Sequence, residues 1–238
     1  MNSFLSLGLQ PVLDILYQDR ALLAVNKPAG LLFHGYTKGL PMPLVDQIKA
    51  EVQPYVGVVH RLDRPVSGVA LFARNSKVAG RLGEQFQQRS LDKIYLALVE
   101  GEPEAEAAVL EDILEAPPST DRPSKGPQAC LLTYVKLKSE GGLTLLAIQL
   151  GTGRRHQIRM QLSRRGWPIV GDQEYGAKTM LPGTETLDRR FSPLALHAAR
   201  LRFEHPMTQE SLLIRAPLPW YWPQDFLFEA PDIADGPA

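Results

Sequence analysis

Residues 131–150, LLTYVKLKSEGGLTLLAIQL, decide the fold class. Leu131–Leu137 and Leu143–Leu150 read as strands, and Ser139-Glu140-Gly141-Gly142 between them is a hairpin signal, since paired glycines supply the positive φ a tight turn needs. Further upstream, Tyr95–Val99 reads as another strand. Val56–Val59 and Val69–Ala73 flank the polar segment His60–Gly68, giving strand, irregular loop, strand. Ile15–Tyr17 and Leu22–Val25 form two short strands around the turn Gln18-Asp19-Arg20. Asn26-Lys27-Pro28-Ala29-Gly30 stops the second, because proline lacks an amide donor and glycine permits positive φ. Two helices stand out. Ser76 caps one whose Val78, Leu82 and Phe86 fall at four-residue steps. The other runs from about Arg154 to Arg165, capped by Thr152 or Gly153, with Ile158 and Leu162 inward and Gly166 and Pro168 ending it. Strands outnumber helices and hairpin links dominate, so the expected class is α+β with a mixed, largely antiparallel central sheet and flanking helices.

The 238 residues suffice for a sizeable core without staples. A single Cys130 excludes a disulfide framework and any cysteine-based metal cluster. No apolar run approaches the roughly 20 residues of a membrane span, and Met1–Leu5 lacks the basic start of a secretory signal. A cytoplasmic protein is expected. Charge is balanced, 26 Lys+Arg against 26 Asp+Glu, yet uneven. Residues 151–170 hold Arg154, Arg155, Arg159, Arg164 and Arg165 and no acid, whereas residues 99–122 are strongly acidic. A neutral total can hide a basic face toward a polyanion, or the two signs can neutralise each other across the surface. The expected organisation is a leader over 1–12, a single catalytic domain over 13–216 with an exposed acidic, Pro-rich excursion at about 100–130, and a peripheral Pro/Trp-rich, acidic tail over 217–238.

The densest chemistry is His60-Arg61-Leu62-Asp63-Arg64-Pro65-Val66-Ser67-Gly68. Guanidinium groups at −2 and +1 favour ionised Asp63. A permanent anion is a poor general base, but it suits a nucleophile or an electrostatic stabiliser. The alternative is an ion pair that pins a loop. In the second cluster, His156 and Arg159 share a face near a helix N-terminus, placed to hold phosphate or a carboxylate, or merely to form a solvated basic face. His34, His60, His156, His197 and His205 show no metal-type spacing, so no metal is expected. Ser67 is outside any G-x-S-x-G elbow, and a glycosidase would need a second carboxylate beside Asp63.

His60-Arg61-Leu62-Asp63 followed by Ser67-Gly68 resembles the active-site signature of the RluA-type RNA pseudouridine synthases. Asn26–Gly30 with His34 is similar to that family's opening motif, and Lys93-Ile94-Tyr95 to its K-x-Y element. Gly153–Arg159 with Pro168–Asp172 matches its third block, and Leu196-His197-Ala198 with His205-Pro206 its closing strand pair. The ordered set covers about residues 13–216. The resemblance implies the pseudouridine synthase fold with a central catalytic cleft, and isomerisation of a uridine in structured tRNA or rRNA, without a cofactor or metal. Carried over, Asp63 is the nucleophile, Arg159 the arginine that pairs with it, and Tyr95 the ring that stacks on the uracil. Arg61 fills the space left by the flipped base. His60, His156, Arg154, Arg155, Arg164 and Arg165 are the remaining candidate RNA contacts. Val66 and Gln209 stand where the family usually has Thr and often Gly. No S4-type RNA-binding domain fits before Asn26, and a monomer is the default expectation. A non-catalytic RNA-binding protein on the same fold is the alternative.

Overall fold

The structure is a computed structural model that describes residues 13–35, 38–115, 117, 126–185, 187–188 and 191–231. The expected leader at 1–12, most of the Pro-rich stretch at 116–125 and the end at 232–238 lie outside the described residues. Among the described residues ten strands form one sheet: β1 (Ile15–Gln18), β2 (Leu22–Lys27), β3 (Gly57–Val58), β4 (Ser67–Ala73), β5 (Asp92–Glu100), β6 (Ala107–Glu115), β7 (Pro127–Glu140), β8 (Leu143–Leu150), β9 (Leu196–Glu204) and β10 (Ser211–Arg215). The main path runs β1-β2-β4-β9-β5-β8-β7-β6, with β10 on β9 and β3 on β4. Every pairing is antiparallel except β4 with β9, which join in parallel at Ser67↔His197 and Gly68↔Ala198. The expected mixed, largely antiparallel sheet is what forms.

That parallel junction explains Gly68. Its φ is +115°, and a Cβ there would sit on the backbone of Ala198, so only glycine lets the two strands meet. Among the described residues three α-helices flank the sheet: α1 (Leu44–Glu51), α2 (Ser76–Gln88) and α3 (Gln157–Ser163). In α2, Asn75 rather than Ser76 is the cap, its side chain accepting from the Val78 amide at 2.9 Å. Val78 and Leu82 are buried as their spacing requires, while Phe86 stacks on His60.

Three further expectations fail. The stretch at 100–130 is no simple excursion, because its Ala107–Glu115 part pairs with β7 along its whole length as an edge strand. The acids conceal a buried pair: Leu110 and Leu114 face inward while Glu111 and Ile113 face out. The tail is not peripheral either, since Tyr221, Trp222, Phe226 and Ala230 join the main core. Proline-rich backbone there still delivers large apolar side chains, and the Trp222 indole donates to the Phe226 carbonyl at 2.9 Å. The arginine helix is shorter than its sequence suggested. The Gln157 carboxamide accepts from the Arg154 amide at 3.0 Å and holds residues 152–156 as a loop, so α3 begins at Gln157.

Candidate active site

Asp63 lies on the loop between β3 and β4, one-third exposed at 32%. The loop has little regular structure, so other elements hold it. Lys27, at the end of β2 and completely buried, spends its three N–H bonds on the carbonyls of Pro28 (3.0 Å), Arg64 (3.0 Å) and Val66 (2.7 Å). Burial pulls its pKa down to about 7, against the charge of Asp63, which favours the ammonium, and with Arg64, which disfavours it. The Gly30 amide also donates to the Arg64 carbonyl, and the Leu194 amide to that of Pro65. Val66 lacks the hydroxyl of the usual family residue. Its side chain packs in the core while its amide closes the turn onto the Asp63 carbonyl at 3.1 Å.

Behind the loop lies a buried chain of polar groups. Tyr221 donates to Ser67 Oγ at 3.0 Å, Ser67 meets His197 Nδ1 at 2.9 Å, and His197 Nε2 meets the Ala216 carbonyl at 3.2 Å. A carbonyl only accepts, so Nε2 carries the hydrogen, Nδ1 accepts from Ser67, and the direction of every bond is fixed. Burial lowers the His197 pKa to about 4, which keeps the ring neutral.

Tyr95 projects from β5 at a register shift between Ile94 and Tyr95 in the β5–β9 pairing, the kind of irregularity that re-aims a side chain. Burial, and then the charge of Asp63, pushes the phenol well above its ordinary pKa. Tyr95 is therefore a neutral ring near Asp63.

Arg159 does not pair with Asp63. It projects from α3, is 4% exposed, and makes a two-pronged bond to buried Asp172 (Nε–Oδ2 2.6 Å, Nη2–Oδ1 2.7 Å). A third contact reaches Glu174 at 2.9 Å. A planar guanidinium matches a carboxylate edge to edge, and Asp172 takes that geometry. Despite burial, these acids push the Arg159 pKa above its already high ordinary value. The basic group that reaches ion-pair distance of Asp63 is His156, with Nε2 3.7 Å from Oδ2.

The expected RNA contacts divide. Arg61 is exposed on the same loop as Asp63 and donates to His34 Nε2 at 2.8 Å. Arg154 is exposed. Arg165 instead pairs with Asp112 of β6 at 2.8 Å, Arg164 donates to the Ile113 carbonyl at 3.3 Å, and Arg155 to that of Pro117 at 3.0 Å. These three fasten the β6–β7 hairpin to α3. His60 also turns inward: its ring is enclosed against Phe86, Nε2 accepts from the Leu71 amide at 2.9 Å, and burial pushes its pKa down to about 3. A ring so held ties the loop to β4. The roles of Lys27, Asp172 and Ser67 went unread in the sequence, although all three lie within quoted motifs. Among the described residues no group of three acids, histidines or cysteines is placed to hold a metal ion, and no helix is long and apolar enough to cross a membrane.

Comparison with known proteins gives the family. Residues 21–164 match the family model described as RNA pseudouridylate synthase. A Haemophilus ducreyi protein named tRNA pseudouridine synthase C is 35% identical over 228 residues, covering 88% of this chain and 93% of that protein. A Vibrio cholerae protein of the same name is 37% identical over 235 residues, covering 89% and 93%. Among solved structures, human RNA pseudouridylate synthase domain containing 4 superimposes with a TM-score of 0.69 at 28% identity, over 87% of this chain and 89% of that one.

Proposed function

The chain belongs to the RluA-type RNA pseudouridylate synthase family and isomerises uridine to pseudouridine in RNA, and we propose that its substrate is a tRNA and its nucleophile Asp63. The reaction detaches uracil from C1′ at N1, turns the base, and rejoins it through C5. C5 gives up its proton and N1 gains one, so no oxidant, reductant or energy source is consumed. Asp63 supplies the carboxylate, added to uracil C6 or engaged at C1′. The target base leaves the stack at a cost of a few kcal/mol. Tyr95 stacks on it as a neutral ring, and Arg61 fills the vacated space with a planar cation. Arg154 contacts phosphate. Arg159 works at one remove, as a buried brace beside the nucleophile. All of these side chains come from one copy of the chain, so a monomer suffices, at work in the cytoplasm where tRNA is processed.

The observation that carries this reading is the Asp63 loop, set by a fully buried lysine and leaving one acid open to a base beside Tyr95. The tRNA assignment is supported by the 35–37% identical relatives named as tRNA enzymes. The test is tritium release from RNA carrying 5-tritiated uridine. Release is expected from tRNA transcripts and not from ribosomal RNA fragments, and Asp63→Asn should abolish it while tRNA binding stays within about 3-fold. Release by Asp63→Asn would remove that residue from the chemistry, and equal release from both RNAs would remove the tRNA assignment.

A further inference from the structure

We propose that Lys93 binds a backbone phosphate of the RNA next to the flipped uridine. The inference rests on the placement of the target base against Tyr95. Lys93 lies two residues before Tyr95 on β5, so strand alternation puts both side chains on one face of the sheet. Along the strand they stand about 7 Å apart, the scale of a single nucleotide step. The Lys93 ammonium sits over the Phe86 ring of α2, 5.5 Å from its centroid. Phe86 in turn stacks on His60, with ring centroids 5.1 Å apart, and His60 belongs to the loop that carries Asp63. The ammonium therefore stands where α2, β5 and that loop meet.

What marks Lys93 is the partner it lacks. Although partly buried, it has no carboxylate, carbonyl or hydroxyl within hydrogen-bond or ion-pair distance among the described residues. A ring face attracts a cation, but it has no lone pairs to receive three N–H groups. Lys27 shows how this fold treats an ammonium kept for structure, since its N–H groups end on three carbonyls. Asp92, next to Lys93 in sequence, points to the opposite face, where it holds Arg200 at 2.5 Å and accepts from Gln149 at 3.3 Å. The charge that Lys93 does feel is a second cation. Burial first, and then Arg89, hold its pKa below the ordinary lysine value.

A partly buried cation without an acceptor, beside a second cation, is unfavourable in the free protein. An anion with several oxygens relieves both costs at once. A phosphate is such an anion, and the nucleotide whose base meets Tyr95 brings one to this distance along the strand. Arg89, exposed at the end of α2, adds attraction from the solvent side. His60 contributes no charge, because its buried ring is neutral. Two readings of Lys93 then part on stability. A lysine present to pack on Phe86 would stabilise the fold, whereas one held ready for a phosphate costs the free protein stability that RNA binding returns.

The experiment compares Lys93→Met, which keeps an unbranched stem over Phe86 without the charge, with Lys93→Arg. Each is followed by filter binding of tRNA across a salt series, by tritium release for kcat and KM, and by thermal unfolding. Lys136→Gln, at a lysine already held by Glu102 and Glu106, is the control for a lost charge. Lys93→Met should weaken tRNA binding about 10-fold at about 0.1 M salt and flatten the slope of log affinity against log salt by about 0.7–0.9, the value of one phosphate. KM should rise alike, with kcat within about 3-fold of wild type. Its melting temperature should equal or exceed that of wild type. Lys93→Arg and Lys136→Gln should both keep the wild-type slope. An unchanged slope in Lys93→Met, an equal loss in Lys93→Arg, a fall in kcat without loss of affinity, or a melting temperature well below wild type would each overturn the proposal. Filter binding needs no turnover, so wild-type protein that released no tritium from tRNA would overturn the tRNA assignment, while the binding series still decides Lys93.

Discussion

Removing the Asp172 carboxylate should unfold the brace beside the Asp63 loop, and the size of the effect follows from burial. Arg159 and Asp172 are 4% and 1% exposed, and their two-pronged contact leaves neither group facing water. Taking away one member of such a pair strands the other charge at a cost of about 3–5 kcal/mol. For a chain of this size each kcal/mol lowers the melting temperature by about 2–4 °C, so Asp172→Ala should melt roughly 6–20 °C below wild type. Glu174 reaches the same guanidinium at 2.9 Å but is 59% exposed. Solvent screens that arm, and Glu174→Ala should cost at most about 1 kcal/mol. The double variant Arg159→Met/Asp172→Leu removes both charges together and should regain most of the lost stability. It should still release tritium slowly, because the brace beside the Asp63 loop is gone. Thermal unfolding followed by circular dichroism, beside the tritium assay, reads both quantities. A Glu174→Ala variant as unstable as Asp172→Ala, or a double variant no better than the single, would refute the reasoning.

Gly68→Ala combines a φ of +115° with a Cβ placed on Ala198 backbone, and should cost at least about 3 kcal/mol in urea unfolding; an unchanged midpoint would show that β4 and β9 need not meet so closely. Tyr221→Phe removes one buried hydroxyl from the chain through Ser67 to His197, and should lower stability by about 1 kcal/mol while leaving the direction of the remaining bonds intact. Acid should destabilise the fold through His197. Its folded pKa of about 4 lies below the unfolded value near 6.5, so the unfolded chain binds the extra proton, and about 3 kcal/mol present above pH 6.5 is lost as pH falls to 4. His197→Gln should flatten that part of the stability profile, and a profile identical to wild type would assign the acid transition to other groups.

The sequence reveals most where a pattern is local. The hairpin of β7 and β8 follows from two glycines between apolar runs, and α2 from apolar residues at four-residue steps. Composition misleads where it averages over faces. The acids of residues 107–115 mark one side of a strand whose other side buries Leu110 and Leu114, and the prolines near 217–223 punctuate a segment that carries Tyr221 and Trp222 into the core. Helix α1, eight residues long and started by Pro43, is too short for its periodicity to be noticed. At the site, the loop bearing Asp63 and the strand bearing Tyr95 are legible from motif order. Partners are not. Spacing along α3 brings Arg159 to the site, but whether it turns to Asp63 or Asp172 depends on a segment thirteen residues onward that only the folded chain brings back. Lys27 was likewise visible as a motif residue, while its task depends on carbonyls in a loop 37 and 39 residues away.

The polar chain behind the Asp63 loop has a consequence in time. Ser67 meets its partners 130 and 154 residues later, at His197 and Tyr221. At about 5–20 residues per second, a ribosome that has just added Ser67 needs roughly 8–30 s more to deliver the tyrosine. Throughout that interval the nascent polypeptide carries Asp63 on a loop whose following strand has neither its parallel neighbour nor its rear fastening. Completion of this rear fastening is thereby deferred until Tyr221 has been made, and a product terminated before that residue would present the Asp63 loop without it.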